Sequence, residues 1–168
     1  MKLKIENIFC SPCPDVRVRT IDFGDSDTLI LQKKRLPFRL NNLVTVVIVT
    51  NKLTFQFSIH NGYCWNGADI PRFLWNIIGS RTDNDFLIAS LMHDYMLDFK
   101  FKILSESLDN QLTLEEYRRL TSLIFREIII AQGTNKIKAN IMCMAVDTFQ
   151  RFFNKEKWGR NGKLQRIN

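Results

Sequence analysis

Two blocks of sequence hold the residue types that could do chemistry. The first is Asn66-Gly67-Ala68-Asp69-Ile70-Pro71-Arg72-Phe73-Leu74-Trp75, and the second is Ala89-Ser90-Leu91-Met92-His93-Asp94-Tyr95. A neutral imidazole near pH 7 can accept a proton or ligate a metal. With His93, Asp94 and Asp69 as its catalytic groups, such a set would suit hydrolysis, and a metal ion would assist it. A metal-dependent phosphohydrolase would need further His and Asp ligands, and the only other histidine is His60. The same residues also suit a packing junction. Successive helix positions point about 100° apart, so His93 and Asp94 are expected to meet other elements, such as the backbone of the loop 66–71, rather than each other. Asp69 suits a helix cap ahead of Pro71, and Asn66 suits side-chain-to-backbone turn bonds. Trp75 and Phe73 suit a junction, as bulky aromatics do. As a binding or junction set the residues are Asn66, Asp69, Arg72, Trp75 and Tyr95. Both readings stand on the residues alone.

The elements that would hold these blocks are readable in outline. Val16 to Ile21 alternates with period two, as a half-buried strand does. Leu29-Ile30-Leu31 reads as a further short strand. Val44–Thr50 and Leu53–Ile59 flank Asn51-Lys52, with β-branched and aromatic residues on both arms, which predicts a hairpin over 44–59. From Pro71 the text becomes helical. A short helix is expected to Ile78, then one from Asp83 or Asn84 to about Leu97. Phe99 to Asn110 reads as an irregular connector. Thr113-Leu114-Glu115-Glu116 is a capping box opening a helix to about Ala131, ended by Gly133. Thr134 or Asn135 caps a last helix through Phe153. Strands followed by helices predict an α+β fold, a small antiparallel sheet packed against three to four helices.

The 168 residues suit one domain over 1–153, followed by a basic tail over 154–168. Apolar residues make up 45%, enough for a core, and charged residues 24%, too few for a disordered polyelectrolyte. No apolar run is long enough to span a bilayer, and the start lacks an uninterrupted secretory run, so a soluble cytoplasmic protein without a membrane partner is expected. The net charge of +7 permits contact with nucleic acid or an acidic protein surface, but no nucleic-acid-binding motif accompanies it, and solvated faces are the favoured reading. Cys10-Ser11-Pro12-Cys13 lacks the second pair of a zinc ribbon. Reduced thiols, no metal and no cofactor are the expectation. The tail carries Lys155, Lys157, Trp158 and Arg160, a composition suited equally to docking on an acidic partner and to a solvated, flexible terminus.

The pattern formed by Gly62, Gly67, Ala68, Ile70, Pro71, Arg72 and Trp75, then Ala89, His93, Asp94 and Tyr95, then Phe125-Arg126-Glu127 and Ala145-Val146, resembles an uncharacterised phage and prophage family. That family is domain of unknown function 1353, and the likeness covers about 55–153. It implies a phage origin and a role in a virion, a tail or a lysis module. Where family members usually carry an Asp this chain has Asn66, where they carry a Ser it has Asp69, and an Ala-Asp pair is here Thr121-Ser122. The lost carboxylates favour a structural or assembly component, in a tail, connector or ring, that docks to other phage proteins in the virion or in the host cytoplasm during assembly. The alternative is a metal-assisted cell-wall hydrolase of an entry or lysis module, using His93, Asp94 and Asp69.

Overall fold

A computed structural model describes residues 3–22, 24–67, 84–107 and 112–152. The fold is α+β. Six strands come first, β1 (Ile5–Ser11), β2 (Val16–Val18), β3 (Phe38–Leu40), β4 (Val44–Thr50), β5 (Thr54–Ile59) and β6 (Cys64–Trp65), with helix α1 (Asp27–Arg35) between β2 and β3. Among the described residues four helices follow, α2 (Asn84–Asp98), α3 (Lys100–Ser107), α4 (Leu114–Ala131) and α5 (Lys136–Phe152).

The strands form two three-stranded antiparallel sheets, in the orders β1-β4-β5 and β2-β3-β6. The expected hairpin is the β4–β5 pair. Its register sets Val44 against Ile59, Val46 against Phe57 and Ile48 against Phe55, and all six side chains are buried. Alternation with period two sends the intervening Thr45, Gln56 and Ser58 to the other face. The Thr50 hydroxyl closes the turn by donating to Leu53 O at 2.8 Å.

Three local expectations change. Leu29-Ile30-Leu31 lies inside α1. The Ser26 hydroxyl caps that helix by accepting from Leu29 N, Asp27 occupies its first turn, and Lys33, Lys34 and Arg35 its last. Those charges complement the helix dipole, and the apolar triplet is too short to outweigh them. The strand expected over 16–21 stops at Val18, after which Arg19 N donates to Pro37 O. The connector after Phe99 contains α3. The capping box at Thr113 is present, with Glu116 N donating to Thr113 Oγ1 and Thr113 N donating to Glu116 Oε2. Asn135 Oδ1 accepts from Ile137 N at the start of α5. The short helix expected over 71–78 lies outside the described residues.

Helix α2 is the centre of the molecule. Phe86, Ala89, Leu91, Met92, His93, Tyr95 and Met96 are all buried, so almost no face of it is amphipathic. A helix that is apolar nearly all round must be covered on most sides. Helix α4 packs on α2, α5 packs on α4, and the tightly buried Trp65, Tyr117 and Phe125 fill the spaces between layers. Two polar bonds lock the stack: Tyr95 donates to Ser58 O of β5 at 2.7 Å, and Tyr117 donates to Met96 O at 2.8 Å. Among the described residues no helix is long and apolar enough to cross a membrane.

Candidate functional site

The buried helix α2 decides where His93 and Asp94 go. His93 is only 2% exposed. Its Nδ1 lies 3.3 Å from Asp94 Oδ1, so the two neighbours do meet, contrary to the expectation from helix geometry. The reason is the short reach involved: Nδ1 is the ring nitrogen nearest the backbone, and an aspartate is short enough to turn back to it. A carboxylate only accepts, so in the neutral imidazole Nδ1 carries the proton and Nε2 keeps the lone pair. That Nε2 is buried and makes no hydrogen bond. The ring meets the edge of Phe125 on α4, with centroids 6.0 Å apart at 71°. His93 therefore faces the α2–α4 interface. It acts on Asp94, fixing one carboxylate oxygen.

Asp94 opens on the other side. With its amide nitrogen turned toward the carboxylate, Asn66 donates to Asp94 Oδ2 at 3.3 Å and to Gly67 O at 3.1 Å. Beside it lies a cavity of 240 Å³ lined by Tyr63, Asn66, Asp94, Asp98, Gln150 and Arg35, among others. Asp98 is one helical turn beyond Asp94, so both carboxylates share a face of α2. Tyr63 donates to Asp98 Oδ2 at 2.8 Å. Burial, followed by the charges of Asp98 and Asp94, pushes the Tyr63 phenol far above its ordinary range. It stays protonated and serves as a fixed donor. Below it, Trp65 Nε1 donates to Ser90 Oγ at 3.0 Å, which ties β6 to α2. Chemically the cavity offers two carboxylates, a phenol donor, amides and, from Arg35, one guanidinium. It suits a polar or cationic group, and of His93 and Asp94, the expected catalytic residues that are described, Asp94 is the one that lines it.

The remaining expected residues divide clearly. Tyr95 is a junction residue, stacked on Phe57 at 5.9 Å and packed on Phe99 at 4.5 Å. Asp69, Arg72 and Trp75 lie outside the described residues, as do Lys155, Lys157, Trp158 and Arg160. Cys10, Cys13, Cys64 and Cys143 are free thiols. Burial, and then the nearby Cys13, raises the Cys10 thiol above its usual value. Among the described residues, no three His, Cys, Asp or Glu side chains gather in a metal-holding group. Tyr63, Ser90, Asp98 and Gln150 escaped the sequence reading. Only Asp98 carried a usable signal, its one-turn spacing from Asp94.

The family model described as a protein of unknown function, DUF1353, matches residues 42–146. The chain belongs to the DUF1353 family. The DUF1353 region runs from the β4–β5 hairpin through most of α5 and contains Asn66, His93 and Asp94. It leaves out β1, β2, α1 and β3. No curated protein and no solved structure matches the chain.

Proposed function

We propose that this protein is a docking component of a phage particle, a tail, connector or ring accessory that works by binding other proteins in the virion or during assembly in the host cytoplasm. The observation that carries this reading is the outer face of α5. Ile137 and Met144 are 71% and 70% exposed, and Ile141 and Phe152 are exposed with them. Spacings of four and three bring Ile137, Ile141 and Met144 onto one stripe, and Phe152 continues it two turns later. The opposite face of the same helix buries Ala139, Met142 and Val146. A soluble domain has no packing reason to make its last helix apolar on both sides, and contiguous exposed apolar residues of this kind mark interaction surfaces. Of the charges on α5, Lys136, Lys138 and Arg151 are cationic. The single acid, Asp147, is held by Arg118 at 2.6 Å. An apolar protein surface with an acidic rim is the matching partner. The phage setting rests on the family resemblance.

Replacing Ile137 and Met144 together by serine tests the reading. Quantitative mass spectrometry of purified particles should find the wild-type protein at a defined copy number and the variant depleted at least roughly tenfold, with melting unchanged because both side chains are solvent-facing. Incorporation of the variant at normal copy number would end this proposal.

A second reading, hydrolysis, is favoured by one observation, the Asp94 carboxylate at the 240 Å³ cavity. Two features weigh against it. His93 is buried, with its ring packed against Phe125 of α4, and Asn66 contributes an amide donor where the resemblance implies a second carboxylate, which lowers the negative charge available to a cation. A hydrolase would lose turnover in Asp94→Asn while keeping its fold.

A further inference from the structure

The smaller sheet carries an arrangement that packing does not explain. In the β2–β3 pair, Arg17 lies directly opposite Arg39. Their neighbours Val16 and Val18 pair with Leu40 and Phe38, two core residues. The two arginines therefore share the outer face of the ribbon. Like charges directly opposite across strands are destabilising. A sheet that needed only to cover the core would place a neutral or oppositely charged pair there.

More positive charge gathers around this pair. Arg19 follows Arg17 by two residues, and its guanidinium donates to Leu36 O at 3.3 Å. Lys33 approaches from α1. All four cations line one cleft of 630 Å³ between β2, β3 and α1. Two carboxylates also line it, Asp15 and Asp22. Asp22 is already engaged by Lys33 at 3.1 Å, and Lys33 also holds Asp25 at 2.7 Å. Among the described residues Asp15 reaches only Arg17, at 3.7 Å with both side chains half or more exposed, a contact that solvent screens. Arg39 has no ion-pair partner among the described residues. Two guanidinium forks side by side in an open cleft match the oxygens of phosphate groups.

We propose that this cleft binds the phosphodiester backbone of a nucleic acid. The cations are spread along an open ribbon, which suits a chain of phosphates better than a single enclosed anion. The net charge of +7 adds long-range attraction. Among the described residues the lining has no aromatic ring on which a base would stack, so the contacts are to the backbone and independent of base sequence. Arg17, Arg19, Lys33 and Arg39 all precede residue 42, so the site belongs to the N-terminal part of this chain, outside the DUF1353 match. It is separate from the exposed stripe on α5, and neither proposal depends on the other.

The test is fluorescence anisotropy of a labelled DNA duplex with the full chain over a series of salt concentrations. Three proteins are compared: the wild type, the double variant R17Q/R39Q, and a full-length variant with Lys155, Lys157, Arg160, Lys163 and Arg166 changed to glutamine. The double variant should bind at least roughly tenfold more weakly, and its slope of log affinity against log salt should fall by about two. Its melting temperature should hold or rise, because the opposed arginines are gone. The tail-neutralised protein should keep its dependence on Arg17 and Arg39. The proposal is overturned if the double variant binds DNA like the wild type, if neutralising the tail alone abolishes binding, or if no DNA binding is detected. Binding of inorganic phosphate or a nucleoside triphosphate that depends on Arg39, without DNA binding, would also overturn it and reassign the cleft to a small phosphate.

Discussion

The two sheets treat their outer faces differently. The β1-β4-β5 sheet buries Val46, Ile48, Phe55 and Phe57 inward and sets Thr45, Ser58 and Thr54 outward, where Thr45 and Ser58 share a hydroxyl contact of 3.4 Å. These polar residues suit a solvated strand, while Phe9 of β1, opposite Val47, stands exposed on the same face. The β2-β3-β6 sheet is just as well anchored inward, through Phe38, Leu40 and Trp65, with Phe38 and Trp65 ring centroids 5.6 Å apart. Outward it opposes Arg17 and Arg39. The inner faces follow burial in both sheets except at the end of β2, where Val18 is exposed although its partner Phe38 is buried. The outer faces differ, and the opposed arginines mark where selection for something other than stability is to be sought.

Truncating one inward anchor in each sheet tests whether both inner faces carry the core. Trp65→Ala in the small sheet should cost about 3–5 kcal/mol, and Ile48→Ala in the large one about 2–5 kcal/mol, both read from chemical denaturation. A small cost at Trp65 would mean that the β2-β3-β6 sheet is an appendage rather than part of the core.

His93→Ala extends the test to the buried pair. It removes a ring packed against Phe125 and the group that holds one oxygen of Asp94, so a loss of about 1–3 kcal/mol is expected. Unchanged melting together with a lost catalytic activity would contradict the packing role and move the hydrolase reading ahead of docking.

The large sheet's turn is tied to α4 through Lys52, whose Nζ reaches Glu116 Oε1 at 3.1 Å. The Thr113 backbone N–H, then Lys52, then the Thr113 hydroxyl lower the Glu116 carboxyl from 4.5 to about 2. Because the folded-state value is the lower one, the stabilisation is complete above about pH 4.5 and is lost as the pH falls toward about 2. Glu116 is partly exposed, so solvent screening limits the effect of Glu116→Gln to about 1 kcal/mol at pH 7. The difference between the two proteins should shrink as melting is followed into acid. A difference constant from pH 7 to 2 would show that the cap contributes nothing through its charge.

The smallest expected effect separates the outer faces themselves. Thr54→Ala and Arg39→Gln should each change stability by less than about 0.5 kcal/mol, and Arg39→Gln should not destabilise. A clear loss of stability in Arg39→Gln would mean that its guanidinium has a structural partner, and would remove the physical argument for the anion cleft.

Local patterns carried much of the fold. The capping box at Thr113, the glycine stop at Gly133 and the alternation of the β4–β5 hairpin depend on residues within a few positions of one another, and each was readable. Leu29-Ile30-Leu31 misled because three apolar residues satisfy strand and helix equally, and the flanking Ser26 cap and charges decided between them. The site was legible only in part. His93, Asp94 and Asn66 were readable as candidates and do meet, whereas Tyr63 and Gln150 reach the same cavity from β-rich and helical segments distant in sequence.

By itself, then, the sequence determined the α+β order of elements, the edges of the capped helices and the identity of the polar residues able to form a site. Those properties follow from periodicity and from hydrogen bonds that span a turn or less. Tertiary structure alone decided that the strands split into two sheets, that His93 packs its ring against Phe125 while Asp94 opens on a cavity, and that Arg17 stands opposite Arg39. The physical reason is shared. Strand register and the facing of a helix are set by which buried surfaces fit together across long stretches of chain, and a one-residue slip of β2 would turn Arg17 inward without altering any local pattern.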